Sequence, residues 1–309
     1  MLTQEQIEAR RQGIGGSDAG AIAGLNPWKS PVDVYLEKVG DVQQAEQNEA
    51  MYWGTLLEDT IARAYAEKTG HKIQRRTKTL RHPEMPWMIA HLDRVILGDK
   101  RGPGVLEIKT AGRPDGWGEP GTDEIPDCYM AQVAHYMAVT GYAWARLAVL
   151  IGGRDFRVYD IPRDEDLIQA LVEIERRFWQ EHVEPRVPPD PRSLQDLNAL
   201  WPQDSGRVVQ ATPEIVEAVS ELDRIKSEIA DLEEIKKRHE ATIKAYMEDA
   251  AVLEDEAGNV LATWKTSQTS RIDTKALRAC YPEIADEITT KSTIRRFLPK
   301  KPKPQKEEE

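Results

Sequence analysis

Residues 88–110 constrain the fold more than any other part of the sequence. The apolar segments 88–97 and 105–110 flank the turn sequence GDKRGPG, a pattern that predicts two antiparallel strands. Successive side chains of a strand point to opposite faces, so Glu107 and Lys109 are expected on the same face. Antiparallel pairing would bring Asp93, which this pattern places in the first strand, close to both. The sequence therefore predicts two carboxylates and a lysine that converge on a sheet.

The surrounding segments predict a sheet that is covered by helices. Strand patterns occur at 71–80, 145–151 and 156–161, and helical patterns occur at 51–68, 127–139 and 164–182. The order is helices, a three-strand meander, a helix, two strands and a helix. This order is typical of a mixed α/β or α+β core with a mixed central sheet flanked by helices.

The converging side chains suit metal-dependent cleavage of a phosphodiester. Carboxylate oxygens suit Mg²⁺ or Mn²⁺, and a lysine can orient water or stabilise developing charge. The alternative is an exposed strand in which Glu107 and Lys109 form an ordinary solvated pair, and the spacing alone favours that alternative. The apolar residues around Asp93 and before Glu107 favour the metal site, because a carboxylate on a buried strand needs a partner or an ion.

Two helices offer further candidates. Glu58, on the helix at 51–68, is either a third carboxylate for a second metal ion or a solvated glutamate. Gln132 and Tyr136 are four residues apart, so they share one helix face. Gln132 either positions a water or phosphate, or is a polar residue of an amphipathic helix. His135 is interpreted as structural.

Five segments give the sequence a family resemblance. They are RRQGIGGSDAGAIAGLNPW, MYWGTLLEDTIARAY, HLDRV, GVLEIKTA and YMAQVAHYMAVTG, and they lie within roughly the first 185 residues. In this order they resemble the YqaJ viral recombinase family, which is similar to lambda exonuclease and belongs to the PD-(D/E)XK nucleases. The resemblance implies a restriction-endonuclease-like core.

The resemblance also implies roles for individual residues. Asp93 and Glu107 correspond to metal ligands, the Ile108 carbonyl to a further ligand, and Lys109 to the catalytic lysine. Glu58 matches the family's helix carboxylate, and Gln132 matches the glutamine that follows the ExK strand. The implied cofactor is Mg²⁺, for which Mn²⁺ would substitute. The four-cysteine pattern of the iron–sulfur nucleases of this superfamily does not occur, so no cluster is expected.

A phosphate site is implied at the N-terminal segment. Arg11 resembles the arginine that holds a terminal 5′-phosphate, and Ser17 is expected to cap a short helix and to join that arginine. His91 stands where the lambda-type protein has a serine, and it could also contact phosphate. Tyr136 is the remaining candidate for contact with DNA.

Composition sets outer limits on the function. The net charge of −11 argues mildly against nucleic-acid binding, although local charge decides binding. Two cysteines provide no disulfide framework, and no apolar segment is long enough to span a membrane. The sequence has no secretory signal pattern, so a cytoplasmic protein of the bacterial host cell is expected.

The predicted organisation has one catalytic domain and an extension. Residues 1–186 are the expected nuclease domain, 187–210 a proline-rich linker, and 211–250 a helical arm or short coiled coil. Residues 251–300 are expected to form a β-hairpin with a small helical region, and 301–309 a disordered tail. Expected partners are double-stranded DNA ends and a single-strand annealing protein, and a homo-oligomer such as a trimeric ring is open.

The predicted function is a Mg²⁺-dependent exonuclease that digests linear double-stranded DNA from 5′ ends in phage-type recombination. One alternative is an endonuclease of the same fold that acts on branched or flapped DNA. Another is a non-catalytic DNA-binding or scaffold subunit of a recombination complex, which the presence of Asp93, Glu107 and Lys109 disfavours.

Overall fold

The computed structural model describes residues 4–40, 48–290 and 294–300. The chain forms two compact units, Met1–Trp201 and Pro202–Glu309, which are called the N-terminal unit and the C-terminal unit below. The disordered tail expected at 301–309 lies outside the described residues. No helix in the described ranges is long and apolar enough to cross a membrane.

Among its described residues, the N-terminal unit contains seven strands and seven α-helices. The helices are α1 (Gln4–Arg11), α2 (Gly16–Ile22), α3 (Pro31–Val39), α4 (Glu49–Thr69), α5 (Asp127–Thr140), α6 (Glu165–Phe178) and α7 (Leu194–Leu200). A short π-helix, Trp179–Val183, continues α6. The strands are β1 (Lys72–Gln74), β2 (Leu80–Arg81), β3 (Ile89–Ala90), β4 (Arg94–Leu97), β5 (Gly104–Ala111), β6 (Trp144–Ile151) and β7 (Asp155–Pro162).

Five of these strands form one mixed sheet in the order β1-β4-β5-β6-β7. Only β5 and β6 are parallel, because α5 crosses over between them, whereas the other neighbours pair antiparallel. Helices pack against the sheet, so the predicted mixed α/β core with a central sheet flanked by helices is confirmed.

The two faces of the sheet contact different helices. Leu106 and Ile108 of β5 pack with Ile61 and Tyr65 of α4 on one face. Val105 belongs to the cluster on the other face, which includes buried residues of α5 and α6. Because side chains alternate along β5, Glu107 and Lys109 lie on the face that α5 covers.

The predicted strand 88–97 is interrupted at residues 91–93, so Asp93 does not lie in a strand. The backbone of Ile14 pairs with this segment: its N–H donates to Trp87 O at 2.7 Å, and its carbonyl accepts from Ile89 N–H at 2.9 Å. β3 also pairs with β2 in a separate two-stranded sheet. These bonds hold residues 87–90 away from the main sheet. Of the expected strand 71–80, only β1 (Lys72–Gln74) belongs to the five-stranded sheet.

The C-terminal unit contains the helix α8 (Pro213–Met247), the strands β8 (Val252–Glu254) and β9 (Val260–Thr263), and the helices α9 (Thr274–Cys280) and α10 (Pro282–Glu287). The strands β8 and β9 pair antiparallel. The boundary between the units lies after Trp201, within the range 187–210 for which a linker is predicted. Part of that range forms α7, which packs on α3. Asp196 of α7 accepts a hydrogen bond from Ser30 Oγ, at the start of α3, at 2.7 Å.

Candidate active site

Asp93 comes directly before the first residue of β4, at a point where the neighbouring strand β5 continues without a partner on that side. The last pair between these strands is Arg94 with Leu106, whereas β5 extends to Ala111. The edge of β5 that faces β4 is therefore unpaired beyond Leu106. The Oδ2 atom of Asp93 accepts a hydrogen bond from the backbone N–H of Ile108 at 2.8 Å. The break before β4 thus places a carboxylate at the open strand edge.

The backbone carbonyl of Ile108 faces the same space. The N–H and C=O groups of one strand residue point toward the same edge. Since the Ile108 N–H points to Asp93, the Ile108 carbonyl oxygen also points to the edge of β5 that β4 does not pair with. This geometry fits the role of a further oxygen ligand that is expected for Ile108.

Glu107 is 2% exposed and is held by two neighbours. Its Oε1 atom accepts hydrogen bonds from Lys109 Nζ at 2.6 Å and from Gln132 Nε2 at 2.6 Å. Its Oε2 atom is buried and has no hydrogen-bond partner among the described residues. A buried carboxylate oxygen without a partner is costly, so this atom is the strongest indication of an ion that the site would hold.

Burial and neighbouring charges shift the pKa values of the ionisable groups at the site. Desolvation raises the pKa of Asp93 well above its usual value, and the neighbouring Glu107 carboxylate raises it further. Desolvation lowers the pKa of Lys109, but Glu107 and Asp93 outweigh this effect and the net pKa is raised. Two carboxylates close together therefore compete for one lysine cation. A divalent cation would neutralise the remaining negative charge.

The available ligands fit Mg²⁺ or Mn²⁺. Asp93, the free oxygen of Glu107 and the Ile108 carbonyl all supply hard oxygen atoms. In the described ranges no group of three or more His, Cys, Asp or Glu side chains is arranged to hold an ion. Two carboxylates and a backbone carbonyl are consistent with Mg²⁺, because this ion keeps several waters in its coordination shell.

Gln132 connects the carboxylates to a buried tyrosine. Its Nε2 atom also donates to the Tyr136 hydroxyl at 3.0 Å, so both amide hydrogens are used and Oε1 is left to accept. Tyr136 is 4% exposed, and burial followed by the charge of Glu107 raises its pKa well above the usual value. The predicted shared face of Gln132 and Tyr136 is present, but Tyr136 lies behind Gln132.

The tight packing of Tyr136 explains a glycine in the segment GIGGSD. A Cβ atom at Gly16 would lie 2.5 Å from Tyr136 Cε1, whereas one at Gly15 would have no neighbour closer than 3.8 Å. Gly16 therefore lets α2 approach α5, and this contact fixes the ring that supports Gln132.

Glu58 contacts an arginine. Its Oε1 atom accepts a hydrogen bond from Arg94 Nη1 at 2.7 Å, and Asp59 forms a second ion pair with the same guanidinium. Arg94 is buried and lies on the α4 face of the sheet, like Ile96 two residues later. Glu58 contributes to the raised pKa of Asp93, but it lies on the opposite face from Glu107 and Lys109.

The expected phosphate ligands lie at the surface or are partly buried. Arg11 and Ser17 are exposed, and Arg11 forms no ion pair with a described residue. Ser17 is not the helix cap, because α2 begins after Gly15, whose N–H donates to the Asp18 carboxylate at 3.1 Å. Partial burial and the charge of Arg10 lower the pKa of His91 to about 4, and its Nε2 atom is 2.8 Å from Thr79 Oγ1. His91 is therefore neutral at pH 7.

A buried ion cluster beneath α2 was not predicted. Asp18 is 4% exposed and accepts from Lys38 Nζ at 2.6 Å and Lys29 Nζ at 3.0 Å. Burial opposes ionisation of Asp18, but the two lysines outweigh it and lower its pKa. Lys38 also donates to the Arg10 carbonyl at 2.7 Å. The cluster anchors the turn before α2, and no sequence pattern connects α2 with these lysines.

The chain is similar to a known protein over most of its length. A model of the YqaJ-like viral recombinase domain matches residues 6–143. The protein YqaJ of Bacillus subtilis (strain 168) is 36% identical over 307 residues, covering 96% of this chain and 94% of that protein.

Two solved exonuclease structures are also similar. An alkaline exonuclease from Laribacter hongkongensis is 22% identical, with a TM-score of 0.47 over 60% of this chain and 94% of its own. A phage-related exonuclease from Haemophilus somnus 129PT is 15% identical, with a TM-score of 0.42 over 56% of this chain and 96% of its own.

Proposed function

The chain belongs to the YqaJ-like viral recombinase domain family, and we propose that it is a metal-dependent exonuclease that digests linear double-stranded DNA. The observation that carries the proposal is the unpaired, buried Oε2 atom of Glu107. It lies in a site where Asp93 and the Ile108 carbonyl offer further oxygen ligands and Lys109 offers a cation. This combination suits phosphodiester hydrolysis.

In the proposed reaction, some side chains of the site would bind the ion and others would contact the phosphate or the attacking water. Asp93, Glu107 and the Ile108 carbonyl would hold the divalent ion. Lys109 Nζ has three hydrogens and uses one on Glu107, so two remain for a phosphate oxygen or the attacking water. A bound Mg²⁺ would lower the pKa of water and neutralise charge on the phosphate.

Gln132 would position the attacking water. Its amide hydrogens are used on Glu107 and Tyr136, so its Oε1 atom accepts a hydrogen bond and orients the water's lone pair. The buried Tyr136 ring prevents Gln132 from moving away from the carboxylates. A water held in this way is oriented before the phosphate arrives.

We further propose 5′-to-3′ digestion, which leaves 3′ single strands for annealing-type homologous recombination. The support is the family resemblance of Arg11 together with its exposure and the absence of an ion pair between Arg11 and any described residue. Ser17 and the neutral His91 are the proposed additional phosphate contacts. Glu58 would serve a second ion only after its carboxylate left Arg94.

The proposal is tested with linear duplex DNA carrying a fluorescent label at either the 5′ or the 3′ end, with and without Mg²⁺. We expect metal-dependent release of mononucleotides, with the strand bearing a 5′-phosphate degraded first. Glu107→Gln and Lys109→Met should each reduce the rate by about 100-fold or more, since Glu107 would hold the ion and Lys109 would contact the phosphate or the attacking water. The matched controls Glu84→Gln and Lys100→Met change exposed residues and should retain the rate.

The other outcomes identify the alternatives. Cleavage of covalently closed circles would indicate an endonuclease. DNA binding without metal-dependent degradation would indicate a non-catalytic subunit. Digestion that begins at the 3′ end, or Arg11→Ala retaining full preference for 5′-phosphate over 5′-hydroxyl ends, would overturn the polarity while leaving the hydrolytic mechanism intact.

A further inference from the structure

The helix α8 carries an apolar stripe that no described residue of its own unit covers. Its 35 residues extend about 52 Å at 1.5 Å per residue. Only Met247 at its end is buried. The stripe repeats at alternating spacings of three and four residues, and its larger members are 40–79% exposed apart from the half-buried Leu222. These members are Ile215, Leu222, Ile225, Ile229, Leu232, Ile243 and Tyr246.

A stripe with this spacing is typical of the seam of a coiled coil. Helices in proteins gain most of their stability from packing an apolar face, and an exposed seam of four turns or more requires a partner. The polar residues Lys236 and His239 occupy two seam positions between Leu232 and Ile243. Polar residues at seam positions reduce stability but select one register.

The charges along α8 indicate what that partner is. Residues 214–234 carry eight acidic and two basic side chains, whereas residues 235–247 carry four basic and one acidic side chain. Two such helices repel each other when parallel, because acidic lies beside acidic and basic beside basic. They attract each other when antiparallel, because each acidic part then lies beside the basic part of the other.

We propose that α8 is a self-association surface that pairs with α8 of a second copy of this chain in an antiparallel coiled coil. One register brings the seam positions of the two copies opposite each other throughout. Ile229 then faces Leu232 of the second copy at the centre, and Ile215 faces Tyr246 at each end. The polar residues are also accommodated, because Lys236 faces Ile225 and the acidic part of the second helix.

The same register creates a specific pair of charges beside the seam. Lys226 of each copy lies opposite Glu233 of the other, which gives two symmetric ion pairs. Both side chains are exposed, and neither forms an ion pair with a described residue of its own chain. In a parallel pair Glu233 would instead lie next to Glu228 of the second copy.

The first test measures self-association of the full-length chain by sedimentation equilibrium. We expect a dimerisation step that Leu232→Asp weakens by about 100-fold or more, because two central layers each lose a buried leucine. Ser227→Asp places the same charge on the outer face of α8 and should leave the dissociation constant unchanged. A chain that is monomeric up to about 100 µM, or equal behaviour of the two variants, would overturn the proposal.

The second test determines the orientation of the helices. Glu233→Lys opposes two like charges in the antiparallel pair and should raise the dissociation constant by about 3- to 10-fold. Adding Lys226→Glu in the same chain should restore it. A parallel pair predicts the reverse for the single change, because Glu228 would gain a basic neighbour, so tighter association of Glu233→Lys excludes the antiparallel arrangement. Far-UV circular dichroism verifies that each variant retains its helix content.

Discussion

The Asp93 carboxylate, just before the start of β4, accepts a hydrogen bond from the backbone N–H of Ile108 in β5 at 2.8 Å. This bond fixes one carboxylate oxygen, and the Glu107 carboxylate is close enough to raise the pKa of Asp93. Under the proposed function Asp93 would therefore have two separable roles, as an acceptor for the strand edge and as a charge for the divalent ion. A substitution that keeps the shape but removes the charge separates these roles.

Asp93→Asn should abolish metal-dependent cleavage without unfolding the protein. The amide oxygen can still accept from Ile108, but the charge that would hold the ion is lost, so the rate should fall by about 100-fold or more. The folded-state pKa of Asp93 is raised, so its ionised form costs stability above pH 3.8 in the metal-free protein. At pH 8 without metal the variant should therefore melt at or above the wild-type temperature.

Thermal melts with increasing Mg²⁺ provide the readout for that prediction. Wild type should gain stability as Mg²⁺ is added, because the ion binds only the folded state, and a chelator should reverse the gain. Asp93→Asn should show no such gain. A metal-dependent rise in its melting temperature equal to that of wild type would mean that Asp93 is not a ligand.

Some features of this site follow from local patterns. The alternation of a strand places Glu107 and Lys109 on one face, and the helical repeat places Gln132 beside Tyr136. Both relationships depend only on neighbours in sequence, so they are readable without a structure. The position of Asp93 is different, because the break before β4 depends on backbone bonds to Ile14, more than seventy residues earlier.

Gly16→Ala should impair the site from a distance. The new methyl group would lie 2.5 Å from the Tyr136 ring, which must shift and release Gln132. We expect a loss of about 1 to 3 kcal/mol in the free energy of unfolding from overpacking. The cleavage rate should fall by about 10- to 100-fold, because Gln132, the group proposed to position the water, moves.

Gly15→Ala is the matched control for Gly16→Ala. Its backbone φ is −100°, and its new Cβ would meet only an Asp18 oxygen at 3.8 Å, so the rate and stability should change little. If the two alanine variants cleave DNA equally well, the contact between Gly16 and Tyr136 does not position Gln132.

Glu58→Gln should distinguish a ligand from a partner of Arg94. In the structure the Glu58 carboxylate binds Arg94 on the α4 face of the sheet. The variant should therefore keep the Mg²⁺-dependent rise in melting temperature that Asp93→Asn loses, while its cleavage rate falls if a second ion binds with DNA. A variant that loses the Mg²⁺ response completely would place Glu58 among the ligands of the resting protein.

The position of Glu58 also marks a limit of sequence reasoning. Its helix, α4, is amphipathic, and the pattern correctly predicts that the helix packs against the sheet. The pattern does not determine which face of the sheet the helix covers. That choice depends on packing between α4 and alternate residues of β5, such as Leu106 and Ile108. Glu58 thus matches the family motif, but in the structure its carboxylate forms an ion pair with Arg94.

A buried His135–Glu175 pair gives the fold a pH dependence of its own. Both side chains are fully buried; His135 Nδ1 lies 2.9 Å from Glu175 Oε1, and Nε2 lies 2.9 Å from the Ile89 carbonyl. Burial lowers the pKa of His135, but the Glu175 charge and hydrogen bonds outweigh it and raise the pKa above 6.5. The pair connects α5 and α6 to β3, the strand before the break at residues 91–93.

Glu175→Gln should therefore destabilise the protein most at low pH. A raised histidine pKa contributes stability that is fully present below pH 6.5 and is lost as the pH rises through the folded-state value. Urea unfolding at pH 6 should show a deficit of about 3 kcal/mol relative to wild type, and the deficit should shrink at pH 9. Glu173→Gln, which breaks only exposed pairs with Arg176 and Arg177, should cost less than about 1 kcal/mol at either pH. A deficit for Glu175→Gln that is the same at both pH values would mean that His135 is not charged in the folded protein.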